Sequence, residues 1–233
     1  AICYDIEDLP RVGKTTAKKL REAGFNTVNS LATIPVKILV DQGGIGEKTA
    51  VQITEAAREV MEIGFQTGVD VWNRRKNLSK ISTNSAALDE LLAGGIETGS
   101  MTEFFGEYRT GKTQIMHQLC VDVQLTKDEG GIGGKALYID TEGTFRPERI
   151  IQMAEAKGLD YNKVLENIIY ARAYSSDHQF VICQTIQDKI AKENIKLVIV
   201  DSLITHFRAE YIGRGTLAQR QQKLNQHIHD LLR

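Results

Sequence analysis

The run Gly106-Glu107-Tyr108-Arg109-Thr110-Gly111-Lys112-Thr113 constrains this chain more than any other segment, because it satisfies GxxxxGK[ST] between an apolar stretch and an amphipathic one. In a strand-to-helix turn the glycines let backbone N–H groups wrap phosphate oxygens, and the following helix adds its positive dipole end. Lys112 is expected to reach the β- and γ-phosphates of a nucleotide, and the Thr113 hydroxyl to ligate Mg²⁺. A chance glycine turn is the alternative, and the flanking pattern disfavours it.

The surrounding pattern supplies the sheet that such a loop requires. From about Ser82 onward short apolar runs alternate with longer amphipathic stretches, which reads as an α/β domain with a mainly parallel sheet. Strands are expected at 101–105, 136–139, 168–171 and 197–200, and helices at 113–124, 147–156, 178–191 and 216–232. Pro147 suits a first helical turn, and Ile182, Ile186 and Ile190 recur at i, i+4, i+8. Residues 8–62 read instead as a small helical module, with Ala17, Leu20 and Ala23, then Ile53, Ala56, Ala57 and Val60, at helical spacing. After Gly64 the texture changes: 65–72 reads as extended and 73–77 as polar and basic. The organisation expected is a helical domain at 1–62, a linker at 63–81 and a nucleotide-binding core at 82–233. Because the chain stops in what reads as a helix after the fourth strand, it is expected to be a truncated form of a longer protein.

Composition narrows the function classes. Among 233 residues, 29 Lys and Arg against 30 Asp and Glu give a net charge of -1, so no global cationic field draws the chain onto nucleic acid and any such contact is local. Cys3, Cys120 and Cys183 are scattered and lack CxxC spacing, which argues against a disulfide framework and a zinc site and suits a reducing, cytosolic setting. No apolar run approaches membrane-spanning length, so no membrane partner is expected.

Two acidic segments agree with the phosphate loop. Leu197-Val198-Ile199-Val200-Asp201 is a buried strand ending in an acid, the place for a carboxylate that holds Mg²⁺. Tyr138-Ile139-Asp140-Thr141-Glu142-Gly143 brings two further carboxylates to a strand's C-terminal end, where parallel sheets bind ligands; one facing the γ-phosphate can act as general base. The alternative is an Asp-Gly turn with a solvated glutamate. In the helical module, Pro10-Arg11-Val12-Gly13-Lys14-Thr15 and Gly44-Ile45-Gly46-Glu47-Lys48-Thr49 each place a glycine turn before a helix start, the helix-hairpin-helix pattern that meets DNA phosphate without reading sequence. Two structural turns in a protein-docking module fit the same residues.

Taken together, the segments 102–114, 138–149, 171–174 and 207–215 resemble the RecA-like strand-exchange recombinases, in particular the archaeal RadA and eukaryotic recombinase branch, and the likeness covers nearly the whole chain. The resemblance implies a RecA-like P-loop ATPase core behind an all-α helix-hairpin-helix domain. It implies a DNA-dependent ATPase that uses ATP and Mg²⁺ to form helical filaments on single-stranded DNA and pairs them with double-stranded DNA, in recombination and repair. Residues 106–114 (Gly106, Glu107, Tyr108, Arg109, Thr110, Gly111, Lys112, Thr113 and Gln114) would bind nucleotide, Arg149 would lie against the adenine, and Glu142 would be the catalytic carboxylate together with Lys112. Thr113 and Asp201 would hold Mg²⁺, and Arg208, Arg214 and Arg220 would meet DNA, their alternative being solvated loop arginines. Phe65 and Gly68 would form the self-assembly motif, with Gly68 departing from the alanine usual there; a linker phenylalanine packed on its own domain is the alternative. Implied partners are DNA, further copies of the chain and recombination mediators, in the cytoplasm on a nucleoid or, in a eukaryote, in the nucleus. Two rival readings are a non-catalytic, recombinase-like adaptor, disfavoured by Lys112, Glu142 and Asp201, and a RecA-like ring helicase, disfavoured by the helix-hairpin-helix module and Phe65.

Overall fold

The structure, a computed structural model, describes residues 5–61 and 64–232; Cys3 and Arg233 lie outside them. The chain divides into two compact units, residues 1–76 and 77–233.

In the first unit a short 3-10 turn, Ile6–Asp8, precedes α1 (Lys14–Glu22), α2 (Val28–Thr33), α3 (Val36–Gly43) and α4 (Glu47–Val60). Each helix turns a small apolar face inward, and Leu20, Leu31, Leu39 and Ile53 meet in one fully buried cluster. Local chemistry sets the ends. Thr27 and Ser30 form a reciprocal cap on α2, satisfying amides that have no partner inside the helix. The starts of α1 and α4 carry no such side chain: Gly13 and Gly46 are their N-caps.

After Gly64 the structure departs from the sequence reading. The stretch 65–72 was expected to be extended, yet α5 runs from Gly68 to Lys76. The cause is local: Thr67 and Asp70 cap one another, with the Thr67 amide donating to Asp70 at 3.0 Å and the Asp70 amide to the Thr67 hydroxyl at 3.2 Å. That pair overrides the β-favouring Val69, Val71 and Trp72.

The second unit begins with a two-stranded antiparallel ribbon, β1 (Lys80–Ile81) and β2 (Ile96–Glu97), enclosing α6 (Ala86–Leu91). Then follow α7 (Lys112–Asp122), β3 (Lys135–Asp140), α8 (Pro147–Ala156), α9 (Tyr161–Glu166), β4 (Ile168–Arg172), α10 (Ser176–Lys192), β5 (Ile195–Asp201), α11 (Thr205–Glu210) and α12 (Leu217–Leu232). The sheet is parallel with strand order β4-β3-β5. Central strand β3 is buried on both faces: Ala136 and Tyr138 pack with α7, α8 and α9, whereas Leu137 and Ile139 pack with α10 and α12. This is the doubly covered α/β core the alternating pattern predicts. The run 101–105, expected as a strand, has no ladder partner among the described residues and is irregular backbone. Phe104 still packs on the core, while Phe105 is exposed.

Leu31→Ala would open a cavity in the helical core and should destabilise that unit by about 2–5 kcal/mol. Urea denaturation followed by circular dichroism checks this, and an unchanged first transition would contradict the packing described.

Candidate nucleotide site

Parallel pairing of β3 with both neighbours sets the site's frame. Asp140 lies in register with Arg172 on β4 and with Asp201 on β5, so three ionisable side chains stand in one row at the C-terminal end of the sheet. The phosphate loop and α7 come in beside this row. Gly111, with φ +92°, is the N-cap of α7, a conformation that a residue with a Cβ adopts only under strain. No side chain caps α7, which leaves its first-turn amides to meet an anion.

Within the loop, the Lys112 ammonium donates to the carbonyl oxygens of Glu107 at 2.7 Å and Gly106 at 3.0 Å, and the Thr110 hydroxyl donates to Glu107 at 2.9 Å. The cation therefore lies over the loop's own backbone. Arg109, at φ +67°, stands 5.3 Å from the exposed Tyr108 ring. Thr113, first-turn neighbour of Lys112, donates its hydroxyl proton to the Asp201 carboxylate at 2.8 Å. The Tyr138 hydroxyl donates to the same Asp201 oxygen, also at 2.8 Å. These residues are 88 and 63 positions from Asp201 in the chain, and only the sheet brings them together.

Glu142 is exposed, yet its carboxylate has fixed partners. One of its oxygens accepts from Ser202 at 2.8 Å and from Thr205 at 2.6 Å, both just beyond the end of β5. Its loop is wound on Asp140, whose buried carboxylate accepts the amides of Glu142, Gly143, Thr144 and Phe145. Burial pushes the Asp140 carboxyl up, but the amides of Phe145, Gly143 and Thr144 outweigh it and hold it below the usual carboxylate range.

His117 ties the two loops together. Its Nε2 accepts the Arg146 amide at 3.0 Å, so the proton sits on Nδ1, which donates to the Thr113 carbonyl at 2.7 Å. The ring is fully buried and stacks on Phe145 at 5.2 Å, with Tyr138 tilted beside both. Sequence reasoning passed over His117 and Tyr138, although each carried a signal. His117 lies at i+4 from Thr113 on one helix, and Tyr138 shares a strand face with Asp140 by the period of two.

The remaining expected residues are dispersed. Arg149 donates to Gln114 at 2.7 Å and to Gln152 at 2.8 Å, which holds its guanidinium beside the start of α7 rather than against Glu148. Arg208 and Arg214 are exposed, on α11 and on a short 3-10 turn (Arg214–Thr216), whereas Arg220 is half-buried on α12 with its Nε unpartnered among the described residues. Phe65 is fully exposed, and open space surrounds the place where a Cβ on Gly68 would stand.

A GxxxxGKT loop before an uncapped helix start, a lysine and a hydroxyl–carboxylate pair at the C-terminal edge of a parallel sheet are the arrangement of a P-loop protein with a RecA-like core. The family model described as Rad51 matches residues 74–233, and one described as a SAM-like helix-hairpin-helix tandem matches residues 4–59. The chain belongs to the Rad51 family, with a helix-hairpin-helix domain at its N-terminal end. Membership gives it a recombinase-type role in DNA recombination and repair; the family binds DNA, oligomerises and uses ATP and Mg²⁺. Among the described residues, no helix is long and apolar enough to cross a membrane.

Burial holds the His117 imidazole below its ordinary value, against the opposing pull of the Thr113 carbonyl, and burial lowers His227 likewise. The unfolded chain therefore takes up protons below about pH 6.5 that the folded chain refuses, so stability should fall as pH drops from about 7.5 to about 5.5. His117→Asn should make that fall shallower, leaving the part due to His227. Urea midpoints across the range measure it, and an unchanged slope would show that His117 binds protons equally in the folded and unfolded chain.

Proposed function

We propose that this chain carries the ATP-hydrolysing site of a recombinase that assembles as a helical filament on single-stranded DNA and promotes homologous pairing and strand exchange. The hydrogen bond from Thr113 to Asp201 carries the reading, because it aligns a hydroxyl with a carboxylate beside the uncapped start of α7. The residues fit Mg·ATP: the uncapped start of α7 and Lys112 suit the β- and γ-phosphates, and Thr113 with Asp201 suits the cation. Bound Mg·ATP supplies the phosphoanhydride and the charge neutralisation. Lys112 then exchanges its carbonyl partners for phosphate oxygens, and Glu142, oriented by Ser202 and Thr205, takes a proton from water.

DNA contact is assigned to two places. The starts of α1 and α4 expose amides without side-chain caps beside the exposed Lys14 and Lys48. Arg208 and Arg214 offer exposed cations beyond β5, with Arg220 more enclosed. For self-assembly, Phe65 projects fully into solvent, and β4 pairs only with β3 among the described residues, leaving an edge to which a second copy can add.

Glu142→Gln should retain ATP binding and lose at least ~100-fold in hydrolysis stimulated by single-stranded DNA, since an amide cannot take the proton. Lys112→Ala should instead lose tight nucleotide binding. Near-normal turnover by both variants would sink the hydrolytic reading. Phe65→Glu should cost the folded monomer nothing, because the side chain is already in water, yet abolish filaments. Light scattering that still reports assembly would remove Phe65 from that role.

A further inference from the structure

Asp140 has no part in the chemistry above, yet its carboxylate is more densely bonded than that of Glu142 or Asp201. One oxygen accepts the amides of Glu142 at 3.0 Å, Gly143 at 2.6 Å and Thr144 at 3.2 Å, and the Arg172 guanidinium at 2.9 Å. The other accepts the Phe145 amide at 3.2 Å and the Tyr170 hydroxyl at 3.1 Å. Four consecutive amides converging on one buried carboxylate force the backbone after β3 into a tight curl. The curl aims Glu142 across the sheet end at Ser202 and Thr205 on the β5 side. Gly143 marks how closely the parts fit: at φ +75° it lies over Arg172, and a Cβ there would stand 3.4 Å from the guanidinium carbon and both terminal nitrogens.

We propose that Asp140 and Arg172 are positioning residues for Glu142: Asp140 winds the catalytic loop around its carboxylate, and Arg172, from the neighbouring strand β4, clamps that carboxylate in place. The proposal rests on the reading of Glu142 as the general base. Asp140 is nearly inaccessible while Arg172 keeps about a quarter of its side chain in solvent (26%), so the pair is held by geometry from the protein side and is approachable from β4. The amides keep the carboxyl ionised, which is the form that can accept six donors at once. A merely structural ion pair would, when weakened, lower stability and leave chemistry per folded molecule alone. A positioning pair instead separates turnover from binding, because a general base works only within hydrogen-bond reach of its proton.

The test uses the whole chain with Arg172→Gln, which removes the charge, and Tyr170→Phe, which removes one donor and should fold even where the first does not. Steady-state ATP hydrolysis and amide hydrogen exchange at 142–145 are measured together. Arg172→Gln should lower kcat about tenfold with KM nearly unchanged and speed exchange of the four amides by about tenfold. Tyr170→Phe should shift both in the same direction by less, and Arg172→Lys should recover most of the loss by restoring the cation. Unchanged kcat and unchanged exchange in both Arg172→Gln and Tyr170→Phe would overturn the proposal, as would a loss of kcat matched by KM with the loop amides still protected. Absence of turnover in the unmodified chain would sink the hydrolytic reading separately, and the exchange measurement would still decide whether Arg172 fixes the Glu142 loop.

Discussion

Parallel pairing of β3 with β5 places Asp140 opposite Asp201, and two loops of different chemistry start from that shared level. On one side Asp201 receives the Thr113 hydroxyl from the phosphate loop and the Tyr138 hydroxyl from within the sheet. On the other, Asp140 winds the backbone that presents Glu142 back toward Ser202 and Thr205. A slip of one residue in that register would turn Tyr138 to the opposite face of the sheet and separate all of these pairs. Site geometry is thus inherited from strand register, and the register is secured by the opposite-facing apolar sets Ala136/Tyr138 and Leu137/Ile139, each buried under its own layer of helices.

Charge state is distributed as the burial requires. Asp140 remains ionised in the interior because four amides, a hydroxyl and a guanidinium replace its hydration. His117, with one carbonyl and one amide as partners, is better buried neutral, and its two nitrogens need no charge to be satisfied. Tyr138 is held protonated by burial and by the adjacent Asp201 carboxylate, so it acts as a fixed donor. The Lys112 cation is held differently: its partners are exposed loop carbonyls, whose place phosphate oxygens can take.

Much of this was legible in the chain. The phosphate loop follows from local glycines and the lysine-threonine pair, because phosphate binding by backbone amides is a property of a short turn. The parallel core follows from alternating apolar runs, and the Rad51 match over 74–233 agrees with the resemblance seen in 102–114 and 138–149. The failures were local competitions. At 65–72 the β-branched and aromatic residues suggested an extended segment, and the Thr67–Asp70 cap decided for helix. At 101–105 the apolar pattern suggested a strand, but a strand exists only with a partner to hydrogen-bond, and none of the described residues provides one.

What the sequence by itself determined is the kind of chemistry: a P-loop, an acid ending a buried strand, a glutamate in an Asp-Thr-Glu-Gly turn, and glycine turns before helices in the small domain. Only the tertiary structure decided which groups act on which. That His117 accepts the Arg146 amide, that Tyr138 and Thr113 share one oxygen of Asp201, and that Arg172 donates to the Asp140 carboxylate are contacts between residues 29 to 88 positions apart. Motifs record the backbone shape that a few neighbouring residues can enforce. Contacts between distant strands and helices arise from register and packing, which no short stretch of sequence contains.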